Sequence, residues 1–129
     1  VKGEIQASEP VLVRVHVQHF LSDLLTLQLP DSGWPLRDAL QRVANEPTGV
    51  LVFLSRPEEP ATLIRRMRGY QFGASESSRA ADPSAELRTY GIGAQILLDI
   101  GVQRMRVLGA PKRLSGLSGF NLEVVEYVS

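Results

Sequence analysis

Two histidines and a few carboxylates are the first residues in this chain that could do metal or acid–base chemistry. His16 and His19 stand three positions apart, with Asp23 and Asp31 further along. Imidazole and carboxylate can hold zinc, but a catalytic zinc normally keeps three protein ligands and one open position. The spacing works against a shared site, because a three-residue step along an extended segment turns side chains to opposite faces. The plain reading of both histidines is a pair of loop or core-edge residues satisfied by hydrogen bonds. Cysteine is absent from the whole chain, so thiolate ligation and disulfides are both excluded. Anion binding is the other chemistry within reach. Arg56, Arg65, Arg66 and Arg68 crowd one stretch, yet a charge run on a helix is ordinarily its wet face. Gly91-Ile92-Gly93 hints at a dinucleotide loop, but Ile96 stands where the third glycine is required and the segment reads as helix, so the fingerprint fails.

The elements that would carry these residues follow from apolar spacing. Val11 to Val15 is apolar with Arg14 interrupting, a buried strand that His16 to Phe20 continues toward a loop. Leu21 to Leu29 is leucine-rich without a decisive period, and Pro30 to Pro35 is a loop by composition. Leu36, Ala39, Leu40, Val43 and Ala44 make a helical stripe with Pro35 at its first turn, ending before Pro47. Val50 to Leu54 is a continuous apolar run that reads as a strand covered on both faces. Beyond the breaker Arg56 to Pro60, a helix is expected over Ala61 to Phe72, with Leu63, Ile64 and Met67 inward and Arg65, Arg66 and Arg68 mainly outward. Ala74 to Ala85, rich in Ser and Ala with an Asp-Pro step, reads as a mobile linker. Ala94, Ile96, Leu97 and Ile100 mark a second strong helical stripe, and Gly101 sits where a left-handed cap is wanted. Val102, Met105, Val107 and Leu108, with Arg104 and Arg106 alternating out, predict a strand with one face covered. Gly109 to Arg113 is a turn, Leu114 to Leu117 a helical turn, and Leu122 to Val128 the last strand. Strands alternating with helices give an α/β fold, a mixed sheet flanked by helices.

Composition bounds what such a fold could serve. With 129 residues, 43% of them hydrophobic, the chain can bury a real core as one domain over residues 1–129. Basic and acidic residues balance at 14 each, which leaves no long-range field favouring nucleic acid or an anionic membrane. No apolar run approaches the ~20 residues that cross a bilayer, so the expectation is a cytoplasmic protein with no membrane partner.

Two blocks carry a resemblance. The run Arg88-x-Tyr90-Gly91-Ile92-Gly93-Ala94-Gln95-Ile96-Leu97-x-Asp99-x-Gly101-Val102 is followed by Arg106-Val107-Leu108 and by Gly116-Leu117-x-Gly119-x-x-Leu122-Glu123-Val124-Val125-Glu126. Together with Val11 to His16 and Leu36 to Val52, these resemble the GTP cyclohydrolase II family. The resemblance implies a first step of riboflavin synthesis, a homodimer, and a domain fused in many bacteria behind 3,4-dihydroxy-2-butanone 4-phosphate synthase. Val1 to Ile5 matches the end of a family strand, so the chain is expected to be the C-terminal fragment of a longer one, with an upstream strand and a synthase domain before it.

Carried over by residue, the resemblance divides. Arg14 and His16 match the substrate strand, Tyr70 an active-site tyrosine, and Arg88 the arginine assigned to pyrophosphate release. Glu86 stands at the proton-accepting aspartate, and Lys112 with Arg113 at the basic position that meets phosphate. Against this, the family's three zinc-binding cysteines fall on His19, Pro30 and Ser32, so no metal cofactor is expected. The glycine-rich phosphate segment falls on Arg56 to Pro60, where proline removes N–H donors and glutamate repels phosphate. The threonine turn shrinks to Gly109-Ala110-Pro111, and the base-reading glutamine becomes Pro35. The expectation is a domain without GTP cyclohydrolase activity that serves assembly, stability or regulation beside the synthase. Alternatives are an active enzyme with an altered metal site built from His19 and carboxylates, or a module binding a nucleotide or other phosphorylated ligand.

Overall fold

A computed structural model describes residues 1–18, 23–24, 33–55, 59–71, 83–109 and 121–129, with only the backbone described at residues 70–71 and 83–87. Among the described residues the elements follow in the order β1 (Val11–Val17), α1 (Leu36–Ala44), β2 (Gly49–Leu54), α2 (Pro60–Gln71), α3 (Pro83–Asp99), β3 (Arg104–Leu108) and β4 (Glu123–Val128). The strands lie in the order β2-β1-β3-β4, and each neighbouring pair is parallel. This is the α/β fold that the alternation of patterns predicts. An isolated antiparallel bridge joins Lys2 to Gly49 beside β2, with Lys2 N donating to Gly49 O (2.8 Å) and Gly49 N to Lys2 O (3.0 Å).

Alternation along β1 sorts its side chains between two cores. Val11 and Val13 are buried, and Val15 partly so, in the larger core with Val50, Val52, Met105 and the α3 residues Ala94 and Leu97. Leu12 points the other way, into a smaller core with Ala39 and Val43 of α1 and with Leu108. Arg14 and His16 share Leu12's face and lie further along the strand. Both faces of the central strands are therefore covered, one by α3 and one by α1.

The end of α3 fixes the entry to β3. Gly101 has φ +93°, its N–H bonds Leu98 O and the Val102 N–H bonds Leu97 O, each at 3.0 Å. This is the paired-bond Schellman cap, and its apolar contact is supplied by Leu97 and Val102, both in the larger core. The stop expected at Gly101 is where the helix turns.

Several expectations are corrected. Pro35 precedes α1 in the N-cap position rather than within its first turn. Leu40 and Ala44 are exposed, so the α1 stripe narrows to Ala39 and Val43 with Leu36 half-buried. β2 is not covered throughout, since Phe53 is 45% exposed. On α2 Leu63 is half-buried as expected, together with Thr62 and Arg66, while Ile64 (51% exposed) and Met67 (50%) are exposed. Ile96 is likewise exposed on α3. The expected linker is helical from Pro83 onward, where proline suits a helix start; its earlier part lies outside the described residues, as does the expected turn at Leu114 to Leu117. Nor is β3 covered on one face only, since Leu108 is buried against α1 and Arg106 bonds Glu46 and Glu126. No described helix is long and apolar enough to cross a membrane.

Candidate functional site

In the strand order β2-β1-β3-β4 the chain leaves β1 toward β2, then crosses back to β3 on β1's other side. The boundary between β1 and β3 is thus where the chain reverses its travel across the sheet. In open parallel sheets the crevice beyond the carboxyl ends of such a strand pair is where ligands bind. Pairing of β1 with β3 stops at Val13 and Val107, and the next residues are Arg14 and Leu108.

Arg14 spans this boundary. Its Nη1 donates to the backbone oxygen of Leu108 at 2.9 Å, and its Nε is buried without a hydrogen-bond partner. Burial pulls the guanidinium below its ordinary pKa, with Tyr90 and Asp23 acting in the opposite direction; an arginine starts so high that it stays charged. Two residues on, His16 is 4% exposed and its Nε2 lies 2.9 Å from both carboxylate oxygens of Asp23. A carboxylate only accepts, so Nε2 carries a proton toward Asp23. The ring's Nδ1 is buried and has no partner. The imidazole stacks on Phe53, its register partner on β2, with centroids 5.9 Å apart and planes 11° from parallel.

The carboxyl half of β1 therefore carries a half-buried guanidinium whose Nε lacks an acceptor and a buried imidazole whose Nδ1 lacks a partner, on one face of one strand. A group that accepts from arginine and hydrogen-bonds the imidazole would satisfy both, as a partly protonated phosphate or a hydroxyl beside an oxyanion does. The structure brings Arg14 and His16 together. Arg88 is exposed on α3, two positions before Tyr90, and Tyr70 and Glu86 lie within α2 and α3, where only their backbone is described. Arg113, Lys112 and the zinc-register positions His19, Pro30 and Ser32 lie outside the described residues. Asp23, weighed in the sequence only as a metal ligand, serves instead as the partner of His16. Phe53 and Tyr90 carried no signal as site residues, and Gly109 stood out only in the shortened turn; strand pairing and helix placement bring them here.

The donor set bears on the zinc that the resemblance implies. The chain has no cysteine, and among the described residues no three His, Cys, Asp or Glu side chains come together. The residues present do not fit a thiolate-held zinc.

Comparison with known proteins agrees with the fold. The family model for GTP cyclohydrolase II matches residues 1–129. The chain belongs to the GTP cyclohydrolase II family. Similar proteins are the riboflavin biosynthesis protein RibBA of Chlorobium phaeovibrioides, 41% identical over 99% of this chain and 33% of that protein, and RibBA of Bacillus cereus, 40% identical over 99% of this chain and 34% of its own length. RibBA of Bacillus cytotoxicus is 37% identical over the same shares. The chain thus spans about a third of the length of the curated relatives it matches.

Proposed function

We propose that this chain is the GTP cyclohydrolase II-like part of a riboflavin biosynthesis protein, lacking zinc and GTP turnover. In this reading it serves assembly, stability or regulation as a cytoplasmic homodimer beside a fused 3,4-dihydroxy-2-butanone 4-phosphate synthase domain. The observation that carries the reading is the missing donor set: no cysteine in the chain, and a buried crevice histidine already committed to Asp23. Attack of water on a purine carbon at neutral pH calls for a Lewis acid that lowers the water's pKa. Two mutually bonded side chains do not make such a site. Metal analysis and formate release from GTP, measured on the purified full-length protein, test this. The expected result is neither stoichiometric zinc nor formate; finding both would overturn the reading.

One observation favours a second reading, a crevice kept for a phosphorylated ligand. Arg14 is a half-buried cation whose buried Nε has no acceptor, a group costly to leave unsatisfied. This ligand would be held without turnover, which is compatible with a regulatory role.

A further inference from the structure

We infer that Gly109 is the positioning residue for Arg14: its missing side chain lets the guanidinium seat on the Leu108 carbonyl, which leaves the Nε–Nη2 edge as a fork for an oxyanion. This rests on the reading of the crevice as a site for a phosphorylated ligand, and it assigns the residue that aims the cation.

Gly109 follows β3, is buried, and has φ +147°, where only glycine is at ease. A Cβ built there would stand 2.9 Å from Arg14 Nη1, inside normal contact. The atom it meets is the free end of a long side chain, so the guanidinium would move before the backbone did. The displaced contact would be the one that holds it, Nη1 to Leu108 O.

The geometry of the group gives that contact a direction. Nη1 lies on the Cδ side of the guanidinium, so Nε and Nη2 form the opposite edge, the pair of parallel donors that matches a carboxylate or phosphate. Fixing Nη1 on a carbonyl orients that edge without using it. Nε has no acceptor. Near Nη2 stands a second glycine at positive φ, Gly33 (+59°), whose Cβ would come within 3.8 Å of that nitrogen. Gly109 thus makes room behind the guanidinium, and Gly33 stands beside its opposite edge at a distance where a Cβ would only touch. Asp23, the carboxylate within electrostatic range of Arg14, has both oxygens 2.9 Å from His16 Nε2, and Arg14 Nε has no hydrogen-bond partner.

The test is calorimetric titration of the full-length protein with pyrophosphate, using Gly109→Ala in two backgrounds, one with Arg14 and one with Arg14→Lys. Backbone strain from alanine is common to both, whereas displacement of the fork needs arginine. With Arg14 present, Gly109→Ala should weaken binding about tenfold, the scale of one hydrogen bond to a charged group; with lysine it should change nothing further. Equal losses in both backgrounds, or no loss in either, would overturn the inference. Should the unaltered protein take up no pyrophosphate, the phosphorylated-ligand reading falls, and the seating is judged by the Arg14 Nε–H resonance in NMR. A shift of that resonance on Gly109→Ala supports the seating, and an unmoved resonance sinks it.

Discussion

At the scale of single residues, the crevice is set by polar groups that have left water. His16 has an acceptor for its proton in Asp23, and that acceptor is what makes a buried imidazole tolerable. Asp23→Ala would strand the Nε2 proton, and the expected cost is about 1–3 kcal/mol, read as a lower denaturant midpoint with unchanged slope. Asp23→Asn, which keeps an acceptor oxygen, should recover part of that loss. A midpoint for Asp23→Ala equal to that of the unaltered chain would mean the pair contributes nothing.

At the scale of elements, the helix-to-strand turn at Gly101 is the best-defined joint in the molecule. The two bonds from Gly101 and Val102 back to Leu98 and Leu97 need a left-handed residue between helix and strand. An alanine there keeps the bonds and takes on the steric cost of that conformation, roughly 1–2 kcal/mol. Gly101→Ala should lower the thermal midpoint, while Gln95→Ala, at an exposed position of the same helix, should leave it nearly unchanged. Equal midpoints for the two variants would show that the turn has another way to close.

At the scale of the whole molecule, a chain of ion pairs ties α1 to the far side of the sheet. Arg42 bonds Glu46, Arg106 of β3 bonds Glu46 at 3.3 Å, and Arg106 also bonds Glu126 of β4. The Glu46 carboxyl is held below its usual pKa, first by the hydrogen bond from Arg42 and then by the charge of Arg106. A group whose folded pKa is depressed stabilises the fold above its unfolded value, about 4.3, and that contribution fades as pH falls through the folded value. Thermal midpoints should therefore drop on acidification below about pH 4.3, and the drop should be shallower in Glu46→Gln. Superimposable pH profiles would assign the acid sensitivity to other carboxylates.

The sequence by itself determined the helix of α3, its stop at Gly101 and the strands that follow, because local period and a glycine cap are short-range physics. It also settled that no thiolate can hold a metal here, since that is a matter of composition. Arg14 and His16 were singled out together only through the resemblance of their strand to the family's. What the tertiary structure alone decided is their company. Phe53, Leu108 and Gly109 come beside Arg14 and His16 through strand order and register, and no local pattern encodes which strands become neighbours. The outward turn of Ile64, Met67 and Ile96 belongs to the same class. Apolar type says that a residue can be buried, while which arc of a helix meets the sheet depends on how the whole helix lies upon it.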